Sequence, residues 1–151
     1  MLLDATLAVL HYVSIFLLIV FLAAEAVVCK PDFINAAIVR RLGLYDFLYF
    51  GFAMAALATG LARVFFGVKG AAFYAGNYFF WAKIATVVLI ALLSIPPTLA
   101  YARWRKRLKQ DANALPAPEE VTRARKWVMR EAHVLVLLPI FAVLMARGYG
   151  Q

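Results

Sequence analysis

The sequence has one cysteine and two histidines, and only 16% of its 151 residues are charged. A single cysteine excludes an internal disulfide. Two histidines and one cysteine cannot complete a structural zinc site. Eight glycines and six prolines are too few for a collagen-like or low-complexity chain. No phosphate loop, zinc motif or Ser-His-Asp spacing occurs. Acidic residues are also scarce: 8 Asp and Glu stand against 16 Lys and Arg, for a net charge of +8. A nucleic-acid-binding domain would spread such charge along a polar face. Here it falls between apolar runs, so no nucleic acid is expected as a partner.

What the sequence has in excess is apolar residues, 66% of the chain, against about half in a soluble domain. They form four runs, at about 5–28, 44–66, 78–102 and 127–147, each close to the roughly 20 helical residues that cross a bilayer. The runs are continuous rather than alternating, which excludes barrel strands. The first lacks a basic leader, carries Asp4 and exceeds a signal-peptide core, so it reads as a retained helix. Short connections make successive helices antiparallel neighbours. The expected fold is therefore all-α, an integral membrane antiparallel four-helix bundle forming a single domain over 1–151.

Lys30, Arg40 and Arg41 lie in the first connection, and nine more Lys and Arg lie from Arg103 to Arg130. The positive-inside rule then puts these loops in the cytoplasm of a bacterial inner membrane, and both termini outside. The same loops suit anionic lipid headgroups. Within the first of them, Phe33, Ile34, Ala37, Ile38 and Leu42 repeat every three to four residues, predicting an amphipathic interfacial segment at about 31–43. Pro118 with Glu119 and Glu120 predicts that the fourth helix starts near 119, well before it enters the membrane. Pro96-Pro97 and Pro139 predict kinks. A ridge of Gly51, Ala55, Ala58 and Ala62 allows close helix packing, inside the chain or in a homo-oligomer.

Polar groups inside lipid are costly and few. They are His11, Ser14, Glu25, Tyr49, Thr59, Arg63, Lys83, Thr86, Ser94, Glu131, His133 and Arg147. Counting ~1.5 Å per residue places His11, Arg63, Lys83 and Arg147 in the outer third and Glu25 and Glu131 near the cytoplasmic ends. His11, Ser14, Leu18, Leu22 and Glu25 share one stripe of the first helix. Plainer readings exist for most of these residues. Arg63, Lys83 and Arg147 can snorkel to headgroups, Glu25 and Glu131 can pair with Arg40, Arg41 or Arg130, and His133 can be a packing group. His11 is too short to snorkel and has no carboxylate at its depth. A neutral imidazole there suits an axial haem ligand, with Arg63, Lys83 and Arg147 receiving propionates. His133 as a second axial ligand would lie ~12 Å deeper.

The segments ARVFFGVKGAAFY (62–74), FWAK (80–83), LSIPPTL (93–99) and MARGYG (145–150) resemble a family of uncharacterised bacterial inner-membrane proteins with four spans. More distantly, Leu10-His11 and Ala82-Lys83 are similar to features of HemJ-type protoporphyrinogen oxidases, and the chain loosely resembles CopD-type membrane proteins. The HemJ resemblance implies a haem b on His11 and a catalytic or propionate-binding role for Lys83. The first cytoplasmic loop, CKPDFINAAIVRR, departs from the HemJ pattern, in which further histidines and tryptophans occur. The leading expectation is a haem b-binding membrane protein with a redox or tetrapyrrole-related role. A small transporter or channel with a polar path and a non-catalytic assembly subunit are the alternatives.

Overall fold

The computed structural model describes residues 2–150. Among them there are no strands, and the chain is an all-α bundle. Helix α1 spans Leu2–Val28. A 3-10 turn at Pro31–Phe33 leads into α2, Ala36–Phe66. The short α3, Gly70–Ala75, precedes α4, Tyr78–Gln110. Helices α5, Pro118–Leu135, and α6, Leu137–Ala146, complete the order. Four segments are long and apolar enough to cross a membrane: α1, α2, α4 and the α5–α6 pair. At ~1.5 Å per residue, the 33 residues of α4 run roughly 50 Å, well beyond a ~30 Å hydrocarbon layer.

Caps set the starts of the two central helices. The Asn35 side chain accepts from the Ile38 N–H at 2.9 Å and opens α2. The Asn77 Oδ1 accepts from Phe79 and Phe80 N–H at 2.9 and 3.3 Å and opens α4. These bonds satisfy donors that the first helical turn leaves orphaned. Buried Asn77 also holds the end of the chain, its Nδ2 donating to the Tyr149 carbonyl at 2.9 Å. The fourth span breaks at Val136 because Pro139, one turn on, has no N–H for the Leu135 carbonyl and its ring crowds that position. Helix α4, by contrast, continues through Pro96 and Pro97.

The bundle is two antiparallel hairpins, α1 with α2 and α4 with α5 and α6, joined chiefly through α2 and α4. Its main core lies at the end that carries the arginine-rich loops. There Cys29, Val39, Leu42, Tyr101, Trp104 and Val121 bury one another. A smaller cluster of Leu18, Leu22, Tyr49 and Val128 lies beneath it, toward the end that carries both termini. This distribution follows from solvent. Lipid tails give apolar helix faces no reason to leave them, whereas the helical extensions beyond the hydrocarbon are driven together by water.

The same drive accounts for the segment expected to lie flat at the interface. Residues 36–43 are instead the first two turns of α2, with Val39 and Leu42 fully buried and Ile34 and Ile38 packed on the core. Of that apolar set Phe33 and Ala37 are left exposed, Phe33 beneath the Lys30 ammonium. Elsewhere the surface is apolar, with Phe16, Phe47, Phe50 and Phe65 more than half exposed, as a lipid-facing surface requires. On the ridge of α2, Gly51 and Ala58 are exposed and nothing lies within 4 Å of the Cβ position of Gly51. Among the described residues that part of the ridge is left uncovered.

Candidate functional site

Two polar layers lie inside the bundle, about 21 Å apart along α1 by the 14 residues from His11 to Glu25. The layer nearer the termini is built on His11. Its Nδ1 lies 2.9 Å from the Ala56 carbonyl and 3.1 Å from the Thr59 hydroxyl. The carbonyl can only accept, so Nδ1 carries the proton and donates, and Nε2 is left as the lone-pair nitrogen. The ring lies flush against α2 because residue 60 is glycine: a Cβ there would come 3.1 Å from the imidazole Cε1. Lys83 of α4 and Arg63 of α2 are close enough to act electrostatically on His11 and on each other. The Arg63 guanidinium sits over the Tyr12 ring at 5.9 Å, and its buried Nε has no hydrogen-bond partner. Asp4 does not neutralise it, reaching instead toward the Val68 N–H at 3.5 Å.

The second layer is acidic. Glu25 of α1, Tyr49 of α2 and Glu131 of α5 are 2%, 5% and 1% exposed. The Tyr49 hydroxyl donates to Glu131 Oε1. Asp46, one turn from Tyr49 on α2, accepts from the Thr98 hydroxyl of α4 at 2.6 Å. Glu25 feels the charges of both Asp46 and Glu131, and none of the three carboxyls has a basic side chain among the charges acting on it. Glu25 Oε1, the Tyr101 hydroxyl and the Trp104 Nε1 are buried without partners. Among the described residues the ion pair that forms is Arg107–Glu120, bidentate at 2.8 and 2.9 Å, which ties the end of α4 to the start of α5. The expected pairing of Glu25 and Glu131 with loop arginines does not occur. Arg125 of α5 donates instead to the Ala26 carbonyl near the end of α1.

On the stretch of α1 between the layers, Leu18 and Leu22 are buried and cluster with Tyr49 of α2 and Val128 of α5. Ser14 and Thr86 are buried beside the basic layer, but their hydroxyls are spent on the Leu10 and Ala82 carbonyls of their own helices. At the arginine-rich end Cys29 is fully buried, and burial pushes its thiol up to about 11. It is no thiolate at neutral pH and no nucleophile.

The structure thus brings His11, Arg63 and Lys83 together and leaves two expected partners out. His133 is exposed on the outward face of α5, with Nδ1 2.5 Å from the Met129 carbonyl. Glu131, two residues earlier, takes the inward face, and ~200° of helical rotation separates the pair. Arg147 is exposed beyond the end of α6. The sequence inventory overlooked Asp46, Tyr101 and Trp104. Asp46 was legible as the one acid inside the second apolar run, three residues from Tyr49. Nothing in the sequence marks the two aromatics as buried and unpaired. Among the described residues no group of three or more His, Cys, Asp or Glu is placed to hold a metal ion.

Residues 3–150 match the family described as predicted membrane protein (DUF2214). No curated protein and no solved structure matches the chain.

Proposed function

The chain belongs to the DUF2214 family of membrane proteins, and we propose that it provides a gated path for protons through its bundle. The observation that carries this reading is the Tyr49–Glu131 hydrogen bond beside Glu25, whose buried Oε1 has no hydrogen-bond partner, with no basic side chain among the charges acting on the cluster. Carboxyls crowded together in a dry interior share protons rather than all ionise, and intramembrane acids of this kind mark proton relays. His11, with one nitrogen free, is the matching exchangeable group of the other layer. Leu18 and Leu22 form the apolar barrier between them, a constriction that conducts only when wetted. The positive-inside rule orients the acidic layer toward the cytoplasm of a bacterial inner membrane.

The test is proton flux into vesicles that hold the purified protein and a trapped pH dye, with a pH step imposed and charge balanced by potassium and valinomycin. The wild type is expected to dissipate the step faster than protein-free vesicles. Glu25→Gln and Glu131→Gln are expected to return it to the protein-free rate. A wild-type rate equal to that of empty vesicles refutes the reading.

A second reading rests on His11 itself. An Nδ1–H fixed on a backbone carbonyl is how protein imidazoles are commonly oriented to ligate through Nε2, and two cations without a carboxylate stand beside it. These residues would suit a haem b, which His11 would ligate and whose propionates Arg63 and Lys83 would neutralise. A bound haem would supply one-electron chemistry. The residues themselves would orient the ligand nitrogen and neutralise the carboxylates. Absorption spectra of the air-oxidised and dithionite-reduced protein, expressed with haem supplied, test it. A Soret band that His11→Ala removes supports it, and a colourless preparation refutes it.

A further inference from the structure

A groove of about 280 Å³ opens between α4 and α5 at the arginine-rich end. Its membrane-side wall is Ile95, Leu99 and Trp127, its far rim carries Arg103 and Arg123, and the indole of Trp104 lies in its floor. Three observations point to its occupant. First, the groove straddles a polarity boundary. From Ile95 to Arg103 is eight residues, or ~12 Å, and over that distance the lining changes from lipid-exposed Ile and Leu to exposed arginine. Second, among the described residues neither Arg103 nor Arg123 forms an ion pair. The one acid in the lining, Glu120, is held bidentately by Arg107, and it also accepts from the Ala117 N–H at 3.1 Å. Third, Trp104 is 1% exposed and its Nε1 has no hydrogen-bond partner. A buried indole N–H without an acceptor is costly, and Trp104 is among the residues that line this groove, which two positive charges rim.

We propose that this groove binds an anionic phospholipid. The phosphate meets Arg103 and Arg123 and accepts from the Trp104 N–H, while an acyl chain lies along Ile95 and Leu99. A free phosphate ion would satisfy the rim but leave the apolar wall uncovered. A zwitterionic lipid would cover the wall but bring its own cation to the arginines.

The groove holds two of the three tryptophans, so it reports on itself. The full chain carrying Trp81→Phe is placed in phosphatidylcholine bilayers. A fixed fraction of phosphatidylcholine, or of phosphatidylglycerol, brominated near the top of its chains is then added. Brominated phosphatidylglycerol is expected to quench the remaining tryptophans with an apparent affinity on the order of tenfold higher, as two arginines near an anionic lipid would give. Arg103→Gln with Arg123→Gln should bring the two lipids to parity. Lys106→Gln with Lys109→Gln, removing equal charge outside the groove, should leave the preference intact. Equal quenching by both lipids in the wild type overturns the proposal. So does an equal loss from the lysine pair, which would mean diffuse attraction only. Abolition of the preference by millimolar inorganic phosphate, with bulk salt matched, overturns it in favour of the free ion.

Discussion

Tyr49→Phe isolates the hydrogen bond on which the proton reading rests. The ring keeps its place among Leu18, Leu22 and Val128, so packing is conserved and only the hydroxyl goes. What remains is a Glu131 carboxyl at 1% exposure without its donor. Interhelical hydrogen bonds in membranes average about 0.6 kcal/mol and reach about 1.7, because the separated helices find other partners. A buried acceptor left unpaired costs about 1–3 kcal/mol in soluble cores. Here a carboxyl is the acceptor and both ends are buried, so the cost should lie where the ranges overlap, at about 1–1.7 kcal/mol. Glu131→Leu alone strands the Tyr49 hydroxyl and should cost a similar amount. The double variant removes both polar ends, so it should be more stable than either single and within ~0.5 kcal/mol of the wild type. Reversible unfolding in mixed detergent–SDS micelles, followed by tryptophan emission, measures all four. A double variant whose loss equals the sum of the two singles would show that the contact carries no coupling, and the cluster would be a packing accident.

Cys29 makes a pH prediction. Its folded value of about 11 lies above the ordinary 9.0, so above pH 9 the unfolded chain releases the proton first and stability falls as pH rises toward 11. Two units correspond to a loss on the order of 3 kcal/mol at most. Unfolding midpoints of wild type and Cys29→Ala from pH 8 to 11 should diverge accordingly, and a maleimide should label the native thiol far more slowly than the unfolded one. Leu22→Ala, which thins the barrier between the layers, should raise vesicle proton flux several-fold, and an unchanged rate would place the barrier elsewhere. Asn77→Ala removes the cap of α4 and the clasp on Tyr149 and should cost about 1 kcal/mol. Faster carboxypeptidase trimming of the chain end is the companion readout.

The four spans were legible because a bilayer demands long apolar runs, and nothing else in 151 residues produces them. The stripe from His11 to Glu25 was legible from helical spacing. What spacing could not supply was rotation between helices: whether Glu131 or His133 faced inward was settled by packing of α5 on α1 and α4. The core at the arginine-rich end was hidden for another reason. Val39, Leu42, Trp104 and Val121 lie among charged residues, where a search for membrane spans sees only loops, yet that is where water presses helices together. The pairing of the carboxyls was likewise out of reach, since Tyr49 with Glu131 and Asp46 with Thr98 meet from distant stretches of chain.

That placement of the core makes the molecule a clothes peg, sprung at one end. The hairpins are clamped where they stand in water, while their opposite tips are held by lipid and by Asn77's grip on the chain end. His11 stays seated on Gly60 within the α1–α2 hairpin, while Lys83 stands on α4 of the other hairpin. Loosening the lipid-side tips would therefore draw Lys83 away from His11 and leave the imidazole on α2 and the clamp at the far end intact.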